Sequence, residues 1–150
     1  MDQGPLRSAD VFAGRESLVE RSNRRILLVD DDSSLRECVS LILTEAGYEV
    51  LEAHDGKEGM MRAERDRPNL IILDLVMPRW SGMTVLEHLR RGPASRVRVI
   101  MMSGSDQDRF RPLAEAKGID DYIAKPVCLD SLLERVRAIL PLSPELAAVP

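Results

Sequence analysis

Four apolar runs in this 150-residue chain each lead directly into a side chain that can take part in chemistry: Asp30 and Asp31, Asp74, Ser103, and Lys125. If the fold brings the acids to about 4 Å from one another, each pair repels by roughly 4 kcal/mol at an effective dielectric constant of about 20. A cation must offset that repulsion, and Mg²⁺ prefers carboxylate oxygens and water as ligands. A carboxylate beside a bound metal can attack phosphorus to form an acyl phosphate, whose charge a lysine and a hydroxyl help to neutralise.

The apolar run at residues 70–73 is the one around which the others are arranged. It lies between Pro68 and Pro78, which leaves too little room for a typical helix. A continuous apolar run of this length predicts a strand that is buried on both faces of a sheet. Asp74 would then lie at the carboxyl end of that strand, which is the edge where ligands bind in open parallel α/β sheets.

Strand and helix patterns alternate along the whole chain. Strands are predicted at residues 26–29, 48–53, 70–73, 97–102 and 119–124. A helix is predicted after each strand, with capping residues Ser34 and Glu37, Asp55 and Glu58, and Ser105 and Asp108, with the third helix at 81–91 and the last helix at 129–139. This alternation requires right-handed crossovers and a mainly parallel sheet, so the strand ends share one edge. The predicted fold is α/β, a doubly wound five-stranded sheet with five helices.

Four motifs, in their order and spacing, resemble the receiver domain of two-component response regulators. They are V-D-D-D at 29–32, L-D-L-V-M-P at 73–78, M-S-G at 102–104 and Y-I-A-K-P at 122–126. The resemblance covers residues 25–140 and implies a flavodoxin-like sheet of strand order 2-1-3-4-5. It also implies that a histidine kinase or a histidine phosphotransfer protein is the phosphodonor, and that the protein is not an enzyme acting on other substrates.

The resemblance further implies which residues hold the metal ion and the phosphoryl group. Asp74 would be the phospho-acceptor and a metal ligand. Asp31 would bind Mg²⁺ directly, and Asp30 would assist through a water molecule. The backbone carbonyl of Val76 would complete the protein's share of the metal shell.

Three more residues receive roles from the same resemblance. Ser103 would hydrogen-bond a phosphoryl oxygen, and Lys125 would pair with the phosphoryl charge. Tyr122 would be the aromatic residue that switches conformation together with Ser103. The peptide bond between Lys125 and Pro126 is expected to be cis.

Two other functions fit part of the pattern. Asp30, Asp32 and Ser34 match the D-x-D-x-[ST] pattern of haloacid-dehalogenase-type phosphatases, which also form an aspartyl phosphate with Mg²⁺. Those enzymes need an acidic pair after a later lysine, whereas only one amphipathic helix follows Lys125 and Pro126. The other alternative is a receiver fold that binds partners without phosphorylation, and the intact acids and lysine argue against it.

Composition excludes several classes of function. The net charge is −4, the isoelectric point is near 5.3 and no basic run is interleaved with aromatics, so direct binding of nucleic acid is not expected. No apolar run reaches the roughly 18 residues of a membrane span, and the amino terminus lacks a signal-peptide core. Cys38 and Cys128 lack metal-ligand spacing and are expected to be buried, reduced thiols, which favours a cytoplasmic location.

The expected domain organisation is simple. Residues 1–24 form an amino-terminal extension that is flexible or a short helix, residues 25–140 form the receiver domain, and residues 141–150 form a tail. No effector domain is expected after residue 139. Output would therefore come from a downstream protein, or from a second copy in a homodimer formed on phosphorylation, that binds the face of helix 4, strand 5 and helix 5. That face includes Arg109, Arg111, Tyr122 and Arg135.

Overall fold

The computed structural model describes residues 24–104 and 109–143 of the chain, and within them five strands alternate with five helices. The strands are β1 (Arg25–Val29), β2 (Glu49–Ala53), β3 (Leu70–Asp74), β4 (Arg98–Ser103) and β5 (Asp121–Ala124). The helices are α1 (Ser33–Glu45), α2 (Gly56–Asp66), α3 (Gly82–Arg91), α4 (Arg111–Ala116) and α5 (Leu129–Ile139). All strand pairs are parallel, in the order β2-β1-β3-β4-β5. The predicted flavodoxin-like α/β fold is confirmed.

Strand β3 lies at the centre of the sheet and is buried along its whole length. It pairs with β1 on one side and with β4 on the other, so that Leu73 lies opposite Val29 and Met101. Burial of each large aliphatic side chain stabilises the fold by about 1.5–3 kcal/mol. The apolar run before Asp74 therefore fixes the strand that carries this carboxylate.

Alternate strand residues belong to two separate hydrophobic cores. Leu27 and Val29 pack in the core that contains residues of α2, α3 and α4, whereas Ile26 and Leu28 pack with residues of α1 and α5. This division follows from the two-residue period of a strand, which sends successive side chains to opposite faces. Both faces of the sheet are covered by helices, and the strand ends are left to form loops and a site.

The start of α1 differs from the prediction. The predicted capping box of Ser34 and Glu37 is wrong, because the helix begins at Ser33 and Asp32 is its N-cap. The Asp32 carboxylate accepts hydrogen bonds from the backbone amides of Ser34 and Leu35 at 3.0 and 3.2 Å. Asp32 has extended backbone angles and precedes the helix directly, so its carboxylate reaches the free amides first.

The cap of α2 is as predicted, and α3 begins at Gly82, one residue after the predicted start at Ser81. Asp55 accepts a hydrogen bond from the Glu58 amide at 2.8 Å and caps α2, and the hydroxyl of Ser81 caps α3. The predicted caps Ser105 and Asp108 lie outside the described residues. The helix that follows them is described from Arg111 onward.

The prediction of buried cysteines is wrong, because Cys38 and Cys128 are both free and exposed. Within α1 the fully buried positions are Val39 and Leu43, and Cys38 lies beside that stripe rather than on it. Cys128 precedes α5 as its N-cap residue and not within its buried face. A thiol next to an apolar helical stripe can thus point to solvent.

The predicted extension and tail lie almost wholly outside the described residues. Only residue 24 of the extension and residues 141–143 of the tail are described, so the domain boundaries at 25 and 140 stay a prediction. None of the helices in residues 24–104 and 109–143 is both long enough and apolar enough to cross a bilayer.

Candidate functional site

The predicted site residues lie at the carboxyl edge of the sheet. Asp74 is the last residue of β3 and Ser103 is the last residue of β4. Asp30 directly follows β1, and Lys125 directly follows β5. Because these four strands are parallel neighbours, segments that are far apart in sequence deliver their side chains to one place.

Three acids form a cluster at this edge. Asp30, Asp31 and Asp74 each contribute a carboxylate oxygen, and these oxygens lie within 4.8 Å of one another. Asp30 is fully buried and Asp74 is 3% exposed, whereas Asp31 is open to solvent. The backbone amide of Asp32 donates to Asp30 Oδ1 at 2.9 Å and orients that carboxylate. A cluster of oxygen donors that is partly open to water suits Mg²⁺, which retains several water ligands.

The ammonium group of Lys125 lies between two of these acids. Its Nζ is 3.0 Å from Asp30 Oδ2 and 3.2 Å from Asp74 Oδ1. Burial lowers the pKa of Lys125, but its hydrogen bonds with Asp30 and Asp74 and the charges of these two acids outweigh burial and raise the pKa overall. The peptide bond to Pro126 is cis, as predicted. Lys125 is therefore charged and offsets one of the negative charges in the cluster.

The environment of Asp74 disfavours its charged form. Desolvation raises the pKa of Asp74 to about 6, and the negative charge of Asp30 acts in the same direction. Lys125 lowers this pKa, as does the backbone amide of Val76, which donates to Asp74 Oδ1 at 3.3 Å. Burial and like charge prevail over these contacts. A carboxylate with such a perturbed pKa at a strand end is a candidate for a chemical role.

Ser103 and Tyr122 form a second polar pair beside the acids. Their hydroxyl groups are hydrogen-bonded to each other, and Ser103 Oγ also donates to the Gly104 carbonyl at 3.3 Å. Both residues are buried, and the guanidinium of Arg111 lies 5.5 Å from the centroid of the Tyr122 ring. Tyr122 is thus oriented inward. Within the described residues, the Ser103 hydroxyl makes its hydrogen bonds with Tyr122 and Gly104 and makes none with Asp74.

The structure therefore brings most of the predicted site residues together. Asp30, Asp31, Asp74 and Lys125 form one cluster. Val76 lies two residues beyond Asp74, with its side chain 54% exposed and its amide bonded to the Asp74 carboxylate. The serine and tyrosine hydroxyls form the neighbouring pair described above.

Sequence reasoning missed two residues that hold the acids in position. A Cβ atom on Gly82 would lie 2.3 Å from the Asp74 carbonyl oxygen, so only glycine lets α3 begin this close to β3. A glycine directly after Ser81, the predicted start of this helix, was the available signal. Arg36 Nη1 donates to the Asp30 carbonyl at 2.6 Å, and nothing in the helical pattern indicated this contact.

Comparison with known proteins agrees with this geometry. Residues 26–137 match the family described as the response regulator receiver domain. The chain belongs to the response regulator receiver family.

The receiver domain is 39% identical over 117 residues to the DNA-binding dual master transcriptional regulator RpaA of Synechocystis. The match covers 77% of this chain and 48% of that protein. It is 40% identical over 116 residues to the response regulator MprA of Mycobacterium tuberculosis, with 77% and 50% covered. The chain thus spans about half the length of the curated relatives it matches.

Solved structures of receiver domains share the same backbone arrangement. The chemotaxis protein CheY4 of Vibrio cholerae is 30% identical, with a TM-score of 0.72 and coverage of 77% of this chain and 98% of that one. A CheY-like receiver domain protein of Methanospirillum hungatei is 33% identical, with a TM-score of 0.72 and coverage of 78% and 93%. The similarity therefore extends over the receiver fold and beyond the four motifs.

Replacement of Asp74 by asparagine is expected to stabilise the protein in metal-free buffer at pH 7.5. The folded-state pKa of about 6 lies above the ordinary value of 3.8, so protonation favours the folded state. The penalty of the charged carboxylate is absent below about pH 4 and complete above about pH 6. The expected gain in the free energy of unfolding is about 1–3 kcal/mol at pH 7.5 and near zero at pH 4, measured by urea unfolding in EDTA.

Asp32→Asn is the matched control, because it removes an exposed charge nearby and asparagine also caps helices well. This variant should show no comparable gain. An Asp74→Asn gain of equal size at both pH values would contradict the assignment of the penalty to this carboxylate.

Proposed function

We propose that Asp74 accepts a phosphoryl group from a histidine kinase or a histidine phosphotransfer protein, and that the phosphorylated receiver domain signals by binding another protein. The observation that carries this proposal is the position of Asp74. It is a nearly buried carboxylate at the end of the central strand, 3.2 Å from Lys125 Nζ and within 4.8 Å of oxygens of Asp30 and Asp31. Membership of the receiver family supports it.

Mg²⁺ is the proposed cofactor. Asp31 and Asp74 would bind it directly, Asp30 would assist through water, and the Val76 carbonyl would add a backbone oxygen. The residues fit the ion because every donor is a hard oxygen. Among the described residues, Lys125 is the one cationic side chain that pairs with the cluster, and it contacts two of the three carboxylates. When bound, Mg²⁺ would supply positive charge that offsets both the acid cluster and the incoming phosphoryl oxygens.

The residues at the sheet edge have the chemistry that phosphoryl uptake requires. The Asp74 carboxylate would attack phosphorus, and the leaving group of the donor would depart with the electrons of the broken bond, which produces an acyl phosphate. Lys125, which already donates to Asp74, would pair with a phosphoryl oxygen. The Ser103 hydroxyl would exchange its contact with Tyr122 for one with a second phosphoryl oxygen.

We propose that the chain turns over no external substrate and only takes up and releases its own phosphoryl group. The phosphatase alternative needs two acids of the D-x-D pattern to serve one site. Here Asp30 lies in the acid cluster, whereas the Asp32 side chain caps α1. Because only one of these two acids lies in the site and the other caps a helix, the structure supports the receiver function over the phosphatase.

The proposed output surface is the face of α4, β5 and α5. Arg111 lies over the Tyr122 ring and pairs with Glu115 at 2.9 Å, and Arg135 pairs with Asp121 at 2.8 Å. If Tyr122 rotates when its hydroxyl partner moves towards the phosphoryl group, these charged contacts change with it. A difference of a few kcal/mol between the two states is enough for a partner to select one.

The proposed partner at this surface is a downstream protein or a second copy of the receiver domain. Arg109, which lies over the Phe110 ring at 4.9 Å, belongs to the same surface.

The relative RpaA is described as DNA-binding. We propose that this receiver domain makes no direct contact with nucleic acid, because its chain has a net charge of −4. A cytoplasmic location is proposed on the basis of the free thiols.

Incubation with acetyl phosphate and Mg²⁺ is expected to add one phosphoryl group to the protein, detected as a mass increase in intact-mass spectrometry. Asp74→Asn should show no increase, because the nucleophile is lost. Asp55→Asn is the control, since it changes another acid after a strand end that serves as a helix cap. Equal incorporation in Asp74→Asn would refute the site, and no incorporation in the wild type would count against the function.

Millimolar Mg²⁺ is expected to raise the melting temperature, because an ion that binds only the native state stabilises it by about 1–3 kcal/mol at concentrations well above its dissociation constant. Asp31→Asn should reduce this increment, since it removes a proposed ligand. Asp32→Asn changes the adjacent acid, which serves as the N-cap of α1, and should respond as the wild type does. Equal increments in all three proteins would exclude Asp31 as a ligand. Differential scanning fluorimetry is the measurement.

Formation of a beryllofluoride complex, which mimics the acyl phosphate, is expected to shift NMR signals of α4, β5 and α5 as well as those near Asp74. Tyr122→Ala should confine the shifts to the loops at the sheet edge and leave labelling by acetyl phosphate intact. Tyr122→Phe keeps the ring and removes only the hydroxyl that contacts Ser103, so it separates the effect of the hydrogen bond from that of the ring. Shifts confined to the loops in the wild type would refute the switch and spare the phosphorylation site.

A further inference from the structure

The loop between β3 and α3 contains a strained turn centred on Arg79. The backbone φ of Arg79 is 70°, and the Trp80 amide donates to the Pro78 carbonyl at 2.9 Å. Together these features define a γ-turn of the positive-φ type, which is rare and unfavourable for a residue with a side chain. Strain of this kind persists only where the surrounding structure imposes it, and it occurs most often at functional sites.

Contacts on the carboxyl side of Arg79 impose the turn. The Gly82 amide donates to the Leu75 carbonyl at 2.8 Å and closes the loop. The Trp80 ring stacks on His88 with 4.9 Å between the ring centroids. These two contacts therefore fix the backbone that follows Arg79.

Arg79 lines a surface groove that leads to the acid cluster. The other residues that line this groove are Asp31, Arg36, His54, Asp55 and Pro78. Arg36 is engaged by the Asp30 carbonyl and pairs with Glu52 at 3.4 Å, and His54 contacts the carboxylates of Asp55 and Glu58. In the part of the chain that the structure describes, the guanidinium of Arg79 has no hydrogen-bond or ion-pair partner, and it does not pair with Asp31 on the same groove.

An unpaired guanidinium beside this site can bind an anion. With a divalent cation in the cluster, the charges of Asp30, Asp31 and Asp74 are balanced by that cation and by Lys125. Among the described groove residues, Arg79 then remains as the arginine without an acidic partner, whereas the carboxylate of Asp55 accepts the Glu58 amide as the N-cap of α2. An arginine without an acidic partner attracts anions. A guanidinium presents a planar set of donors that suits phosphate oxygens.

We infer that the receiver domain can also take its phosphoryl group from a small dianionic acyl phosphate, in addition to the proposed protein donors, and that Arg79 binds this compound in the groove beside Asp31 before Asp74 attacks it. This inference rests on the proposed function. In the transfer, a bond forms between an Asp74 carboxylate oxygen and phosphorus, and the bond between phosphorus and the acyl oxygen breaks. The carboxylate leaving group departs with that electron pair, and no oxidation or reduction takes place. Arg79 forms no covalent bond. It increases the rate at which the acyl phosphate is bound in the groove.

The test compares Arg79→Asn with wild type in acetyl phosphate and Mg²⁺ at low ionic strength, with intact mass as the measurement. Asparagine tolerates positive φ, so the variant removes the charge and keeps the turn. The second-order rate constant should fall by about three- to tenfold, and Arg79→Lys should restore part of it. Arg96→Asn, which removes an exposed arginine from a different groove, is the matched control and should react as the wild type does.

Donor charge and salt distinguish charge-based capture from a structural effect. Phosphoramidate carries one negative charge fewer than acetyl phosphate near neutral pH, so its rate constant should fall less in Arg79→Asn. Added salt should reduce the difference between Arg79→Asn and wild type. The Mg²⁺-induced rise in melting temperature should be equal in the two proteins.

Three results would overturn the inference. The first is an unchanged rate constant in Arg79→Asn, and the second is an equal loss with both donors at every salt concentration. The third is a reduced response to Mg²⁺, which would mean that Arg79 acts through the metal site. If the wild type is not labelled at Asp74 at all, the proposed function fails, and the inference about Arg79 fails with it.

Discussion

Electrostatic repulsion among three carboxylates at one edge of the sheet is the constraint on which the rest of this structure depends. Asp30 and Asp74 are buried, so water screens their charges poorly. Lys125 contacts both of them and offsets part of the repulsion. Burial, together with the residual negative charge, keeps Asp74 poorly stabilised as an anion. That imbalance favours the binding of a cation at this edge.

The hydrophobic cores supply the stability that holds such an unfavourable cluster in place. β3 is buried throughout, and its neighbours β1 and β4 contribute buried aliphatic residues to both faces. Close backbone contacts then fix the loops at the edge. Gly82 lies against the Asp74 carbonyl, and Arg36 holds the Asp30 carbonyl. The acids therefore have little freedom to separate, although separation would lower their electrostatic energy.

The hydroxyl pair of Ser103 and Tyr122 connects this edge to the opposite end of β5 and to α4. Ser103 ends β4 beside the acid cluster, and Tyr122 packs in the core shared with α2, α3 and α4. Arg111 covers the Tyr122 ring from α4. If the Ser103 hydroxyl changes its hydrogen-bond partner, the change can therefore reach the surface of α4 through the side chains of Tyr122 and Arg111. Packing thus connects the acid cluster with the proposed output surface through Ser103, Tyr122 and Arg111.

Local patterns in the sequence determined the strands and most helix boundaries, and they placed the candidate site residues at the strand ends. Apolar runs and capping residues act over a few positions, and alternation of strands and helices allows few topologies, so these features were predictable from residues such as Asp55 and Asp74. Exposure and long-range contacts were decided only by the tertiary structure. Asp30 is buried while Asp31 is open to solvent, Cys38 and Cys128 are exposed, and the Arg79 turn faces a groove. Each of these depends on how segments distant in sequence pack together, and the pattern of neighbouring residues carries no information about that packing.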